Sequence, residues 1–195
     1  MSKGPKGFSD AEKDELRAKL CVECERSWAV HGYKKTSVGE LTRKIGISTG
    51  AFYLLYSSKE DLFCETLERV QDRLKSGLQD IVGNDRSKAG FIKSIKWLFL
   101  EYNNSPFLYD FNNPDFLSFL NKLPKDSVEK LKFDNLSFFD NAIEHANLTL
   151  RIDKEKAYAV IGTLLYIVSM KDDLSYNHLE IFDFLLDSVM DRLFE

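Results

Sequence analysis

The chain is poor in the residues that punctuate or staple a fold. Four prolines and 10 glycines are all that interrupt 195 residues. Three cysteines, Cys21, Cys24 and Cys64, are too few and too odd in number for a secreted disulfide framework. The longest nearly apolar run, 159–168, is broken by Gly162 and Thr163 and falls far short of the roughly 20 residues needed to cross a bilayer. The opening residues lack the charged-then-apolar pattern of a leader, which sets the expectation of a cytoplasmic protein with no membrane partner. Chemistry is equally sparse. His31, His145 and His178 are scattered, with neither H-E-x-x-H nor Cys/His spacing, and no G-x-S-x-G, Walker loop or dinucleotide glycine fingerprint occurs. The expectation is no enzyme, no metal and no cofactor.

What is present is helical pattern. Apolar residues make up 44% of the chain, enough to bury a real core. They recur at three- and four-residue spacing in every long segment, and no stretch alternates with the period of two that a half-buried strand requires. The class is all-α. Ser9 with Glu12 and Ser37 with Glu40 have capping-box spacing, and Ser105-Pro106 and Asn113-Pro114 place an N-cap before a Pro at the first helical position. This predicts about nine helices, near 9–31, 38–45, 49–55, 58–83, 87–103, 114–122, 125–146, 154–171 and 177–194. Charge is unevenly spread. The net value is -4, yet residues 1–60 carry 11 Lys and Arg against 8 Asp and Glu, leaving 16 against 23 for the rest. A basic head on an acidic body suits a nucleic-acid partner, where the total alone would not.

Residues 36–56 explain what the head could do. Val38, Leu41 and Ile45 make one apolar stripe on a helix of about two turns. Gly46 can take the left-handed conformation that ends it. Ile47 returns to the core and Ser48 can cap the next helix. Two short helices joined by a tight turn are the geometry that puts the second into a DNA major groove.

Gly32-Tyr33, Thr36-Ser37-Val38, Ile45-Gly46-Ile47-Ser48, Gly50, Phe52-Tyr53, Tyr56 and Ser58-Lys59-Glu60-Asp61-Leu62-Phe63 stand in an order and spacing that resembles the TetR/AcrR family of transcriptional regulators, over roughly residues 14–64. The resemblance implies an N-terminal three-helix DNA-binding domain, 1–64, and a larger helical domain for effector binding and dimerisation, 65–195. It implies a homodimer on a palindromic double-stranded operator, released by a small molecule. Carried over, Thr36, Ser37, Tyr53 and Lys59 would meet phosphate, with Lys44 adding charge nearby, while Ser48 opens the helix whose Thr49, Gly50 and Ala51 face base edges. Where family members often carry a long polar residue, this chain has Thr49, and where they have a polar or aromatic pair it has Leu54-Leu55. Hydrogen-bonded readout should therefore be sparse, with thymine methyls as candidates for Thr49 and Ala51. At least one of Leu54 and Leu55 is expected to be core.

The last two helices are broadly apolar, beyond the stripe that a monomer's surface helix needs. Ile161, Leu164, Leu165, Phe182, Leu186 and Val189 are the expected dimer contacts. Twelve aromatics fall between residues 91 and 139, in the helices that the resembling family uses for its ligand cavity. Trp97, Tyr102, Tyr109, Phe138 and His145 are the pocket candidates, and an aromatic lining would suit an apolar or aromatic effector. Two alternatives remain at this level: a thiol- or metal-responsive regulator using Cys21, Cys24 and Cys64, or a helical binding module that does not read DNA.

Overall fold

In the computed structural model the described residues are 8–108, 113–131 and 135–195, the side chains of 130 and 135–138 excepted. They form ten α-helices and no strand, the one extended pairing being an isolated bridge between Leu150 and Phe194. The helices are α1 (Asp10–Lys35), α2 (Val38–Ile45), α3 (Thr49–Phe52), α4 (Lys59–Asn84), α5 (Lys88–Asn104), α6 (Pro114–Leu120), α7 (Lys125–Leu131), α8 (Asn135–His145), α9 (Lys154–Tyr166) and α10 (His178–Leu193). The chain divides into two compact units. One is Met1–Val70 with Asn112–Leu131, the other Gln71–Phe111 with Lys132–Glu195. The boundary between them falls within α4. None of the helices described is long and apolar enough to cross a membrane.

Local chemistry starts and stops these helices. Ser9 and Glu12 form the reciprocal capping box before α1: the Ser9 amide donates to the Glu12 carboxylate at 2.7 Å and the Glu12 amide to Ser9 Oγ at 3.3 Å. Asn113 caps α6 by accepting from the Asp115 amide at 2.8 Å, with Pro114 in the first turn. Four boundaries depart from the sequence pattern, among them that of α3, which closes at Phe52 where the pattern runs to residue 55. α1 does not end at residue 31 but breaks at Gly32 and runs on to Lys35. α9 tightens after Tyr166 into a 3-10 turn over Ile167–Met170. Where one helix is predicted across 125–146 there are two, α7 and α8, with 132–134 outside the described residues.

The first unit is built around one aromatic cluster. Trp28 lies 4.6 Å from Phe63, 6.0 Å from Phe116 and 5.4 Å from Phe119 between ring centroids, and Tyr33 lies 5.0 Å from Phe63 and 5.5 Å from Phe119. α1, α4 and α6 thus meet on interlocking rings, which favour such tilted and edge-on contacts over a face-to-face sandwich. Each ring fully buried is worth about 1.5–3 kcal/mol. In the second unit Phe99 and Phe182 stack with centroids 3.7 Å apart, joining α5 to α10, and Phe91 packs against Phe194 at 5.2 Å.

The break in α1 is a designed feature. Gly32 has φ 78°, ψ 175°, a conformation reserved for glycine. The amides of Tyr33 and Lys34, released from the helix by the break, both donate to the Asp115 carboxylate, the latter at 2.9 Å. A Cβ on Gly32 would stand 2.5 Å from Asp115 Oδ2. Gly32→Ala is therefore expected to destabilise the protein by about 1–3 kcal/mol in urea unfolding. Gly39→Ala, whose added methyl meets no atom within 4 Å, should be neutral or slightly stabilising. Equal unfolding midpoints for the two variants would refute this account of the break.

Candidate nucleic-acid interface

α2 and α3 stand as a helix-turn-helix. Leu41 is buried and Val38 and Ile45 are half-buried, along the expected stripe. Gly46 closes α2 at φ 76°, ψ 27°, and the Ile47 amide returns to the Thr42 carbonyl at 3.0 Å, the six-to-one bond of a left-handed helix end. Ser37 and Ser48 cap the two helices by accepting from the amides of Glu40 at 3.2 Å and Ala51 at 3.1 Å. Past α3 the chain keeps helical spacing through a turn. Phe52, Leu55 and Tyr56 point inward, Leu55 with 7% exposure, while Gly50, Tyr53 and Leu54 are exposed, Tyr53 at 57% and Leu54 at 69%. Of the leucine pair, Leu55 is core and Leu54 is surface.

Ser37, Ser48, Thr49, Gly50 and Tyr53 are all exposed in and around these helices, and Ala51 is half-exposed. Lys34, Lys35 and Arg43 are exposed nearby, and Lys44 is exposed 3.5 Å from the Glu23 carboxylate. Two residues expected at phosphate are placed differently. Thr36 is 1% exposed, its Oγ1 donating to the Gly32 carbonyl at 2.8 Å and lying 3.0 Å from Ser27 Oγ. Its hydroxyl closes the end of α1 and is not offered to a ligand. Lys59 donates its ammonium to the Tyr33 carbonyl oxygen and holds it 4.1 Å from the centre of the Tyr33 ring. Burial lowers its pKa from the ordinary lysine value. Lys59 is thus first a brace on Tyr33. Glu60 completes the brace, accepting from the Tyr33 hydroxyl and pairing with Lys122 at 3.3 Å.

The turn that follows α3 is clamped by Arg17. Its guanidinium donates to the Leu55 carbonyl at 2.9 Å, pairs with the Glu65 carboxylate and lies 4.5 Å from the centre of the Tyr56 ring. Glu65 also pairs with Arg69 at 2.9 Å. Burial raises the Glu65 pKa, but the hydrogen bonds from Arg17 and Arg69 outweigh it and hold the group below its ordinary value. No motif marks Arg17. Only its lying on the same helical face as Cys21 and Cys24, at i, i+4 and i+7, could have suggested an inward role.

The cysteines are held as core thiols. Cys21 and Cys24 are buried and Cys64 half-buried, all three free. Burial pushes the Cys24 thiol up to about 12 and the Cys64 thiol up to about 11, which disfavours the reactive thiolate. Cys21 Sγ lies 3.5 Å from the Tyr56 hydroxyl. Among the described residues no group of three or more His, Cys, Asp and Glu is arranged to hold a metal ion.

In the second unit the expected sites are rearranged. Ile161, Leu164, Leu165, Phe182 and Leu186 are buried and Val189 half-buried within a single chain. They form the core between α5, α9 and α10, because those stripes pack on α5 rather than facing outward. Lys96 pairs with Asp183 at 3.2 Å and Asp187 at 3.4 Å, and Lys88 with Asp191 at 3.0 Å, which fixes the side of α10 turned to α5. The uncharged residues left outside are Phe184, 72% exposed, with Ser188 on α10, and Ala159, Gly162, Thr163, Tyr166 and Met170 on and after α9.

Of the pocket candidates, Trp97 and Tyr102 are half-buried on α5, with burial pushing the Tyr102 hydroxyl up to about 12. The Trp97 ring is seated over Gly77, where any Cβ would collide with it. His145 is instead exposed at the end of α8, its Nδ1 2.7 Å from the Asn141 carbonyl oxygen on its own helix. Tyr109 and the Phe138 side chain lie outside the described residues. A cleft of about 430 Å³ does open in the first unit, but its walls are polar: Arg17, Tyr56, Asp61, Cys64, Glu65 and Glu68, with Ser127 and Leu131 of α7.

The geometry defines an all-helical protein with a helix-turn-helix head. Residues 25–66 match the family described as bacterial regulatory proteins, tetR family. The chain is 24% identical over 160 residues to the nucleoid occlusion factor SlmA of Actinobacillus pleuropneumoniae serotype 5b, covering 78% of this chain and 79% of that protein. Its fold is shared with a TetR family transcription regulator from Marinobacter aquaeolei VT8 (TM-score 0.62, 16% identity, 96% and 100% of the two chains). It is shared too with a TetR-family regulator from Rhodococcus sp. (TM-score 0.66, 15% identity, 93% and 100%). The chain thus carries a segment that matches the tetR family of bacterial regulatory proteins, in a fold shared with TetR-family regulators.

The Arg17–Glu65 pair gives a pH test. Because the folded pKa of Glu65 is depressed, the pair contributes stability fully above the ordinary value of 4.5 and loses it as pH falls through the lower folded value. Glu65→Gln should cost about 1 kcal/mol at neutral pH, and its unfolding midpoint should converge with that of the parent at more acidic pH. A gap that stays constant from neutral to acidic pH would mean that the carboxylate charge contributes nothing there.

Proposed function

We propose that this protein is a transcriptional regulator that binds a palindromic operator as a homodimer and is released by a small apolar or aromatic effector. The observation that carries the DNA half is the exposed face formed by Ser37, Ser48, Thr49, Gly50 and Tyr53, rimmed by Lys34, Lys35 and Arg43. Hydroxyls, helix-terminal amides and Lys or Arg position a protein on phosphate, and a few side chains then read bases. A relative named for nucleoid occlusion is in keeping with a DNA partner. Selection on random duplexes at low salt should enrich a two-fold symmetric site, and failure to enrich any site would sink this half of the reading.

Dimerisation is assigned to the uncharged outer face of α9 and α10, where Phe184, Tyr166 and Met170 are exposed. Gly162, at its centre, has no neighbour within 4 Å of an added Cβ, so its smallness leaves room for a partner helix to come close. Two linked half-sites hold far better than one, since a single small module buries too little at physiological salt. Phe184→Glu should therefore give monomers of unchanged helicity that bind the selected site at least tenfold more weakly. A variant that still sediments as a dimer would move the interface elsewhere.

The effector half rests on the aromatic residues of α5 and its neighbours, with Trp97 and Tyr102 as the half-buried rings. Linkage supplies the test. An effector that weakens operator binding tenfold carries about 1.4 kcal/mol of coupling, and operator must weaken the effector by the same factor. Calorimetric titration of apolar and aromatic compounds into the free protein, repeated with operator bound, should show that loss. Affinities identical in the two titrations would abandon the effector reading while leaving the DNA half standing.

A further inference from the structure

From Ile47 to Tyr56 there is no Lys, Arg, Asn, Gln, Asp, Glu or His. The bidentate contacts that single out guanine or adenine in the major groove need a guanidinium, an ammonium or a side-chain amide. This segment has none to give, so whatever it reads must be read by other means. Its outward face presents the Thr49 hydroxyl and methyl, the bare backbone of Gly50, the Tyr53 ring and the isobutyl group of Leu54.

Two features of that face lack an internal explanation. Leu54 is 69% exposed beside a leucine that is 7% exposed, so the segment had an inward position for one leucine and turned the other out. Single exposed apolar residues are common, which makes the second feature the weightier. Gly50 is not among the residues at positive φ, and an added Cβ would meet only Ser48 Oγ, at an ordinary 3.7 Å. Nothing within the protein requires glycine there. Its effect is to lower the exposed surface of α3 just before the turn that carries Leu54, so that an outside partner can come close to the backbone.

We propose that Leu54 is a specificity-determining residue that reads thymine through its 5-methyl group. The bare Gly50 backbone lets the segment sit deep enough for that contact, and Thr49 and Ala51 are subsidiary methyl contacts. The inference rests on the DNA-binding reading above and specifies its chemistry. The half-site is distinguished by where thymine methyls lie in the major groove, the one base-edge feature an apolar side chain recognises.

The test uses the full-length protein and the site enriched from random duplexes. Each thymine of one half-site is replaced in turn by uracil, which removes the methyl and leaves every hydrogen-bonding group in place. Wild type should lose roughly threefold to tenfold in affinity at one position, the worth of one buried methyl contact. Leu54→Ala should bind the thymine duplex as weakly as wild type binds the uracil duplex, and should no longer distinguish the two. Because Leu54 is on the surface, its far-UV spectrum and unfolding midpoint should be unchanged. Gly50→Ala should keep the fold and weaken all duplexes by holding the segment away from the groove. Wild type indifferent to uracil at every position, or Leu54→Ala that keeps the full uracil penalty, would overturn the proposal while leaving DNA binding intact. Failure to enrich any site would overturn the reading beneath it.

Discussion

The geometry of the head depends on what happens at Gly32. A helix that ran straight through this point would carry Tyr33 around its axis and away from Phe63 and Phe119. The left-handed residue turns the ring into the cluster instead, and frees two amides that must then find acceptors. The Asp115 carboxylate supplies both. With Tyr33 fixed, its carbonyl accepts from the Lys59 ammonium and its hydroxyl donates to the Glu60 carboxylate, so the start of α4 is set by the same residue. α2 begins directly after this braced segment, which is why the helix-turn-helix inherits its placement from a kink rather than from its own small interior.

The braces also divide labour among the cations. Lys59, Lys122 and Arg17 are engaged with Tyr33, Glu60 and Glu65, while Lys34, Lys35 and Arg43 stand outward. Those that shape the frame are tied to fixed acceptors, Lys59 partly desolvated in the process, and those left unpaired in water are the ones able to exchange counterions for a polyanion. The same economy holds on α10. Its aspartates at i, i+4 and i+8 face the lysines of α5, leaving the outer side of the helix nearly free of charge apart from its ends.

Much of this was legible in the sequence because it is local. Capping residues, the left-handed Gly46 and the stripe of Val38, Leu41 and Ile45 act over a few residues, and α2, α4 and α10 lie within a residue or two of their predicted bounds. What the pattern could not show was direction. An apolar helix reads alike whether its stripe meets a partner chain or the next helix, so Leu186 and Phe182 were expected outside and lie in the core. Thr36 has the side chain of a phosphate ligand and the position of a helix terminator, and only its hydrogen bonds separate the two. Asp115 carries no signal at all, since its acceptors' partners lie more than eighty positions earlier in the chain.

That separation bears on how the protein comes into being. The first unit is assembled from two stretches of chain, Met1–Val70 and Asn112–Leu131, with part of the second unit threaded between them. During synthesis the N-terminal helices emerge with a gap in their aromatic cluster and two bare amides at Tyr33 and Lys34, and both stay open until α6 is released. Closing contacts so distant in sequence is slow relative to forming helices. The nascent head therefore waits, incomplete, for a segment made much later, and cutting the gene after the helix-turn-helix would yield a fragment lacking part of its own interior. The two units are in this sense one biosynthetic object, even though they are two compact bodies once made.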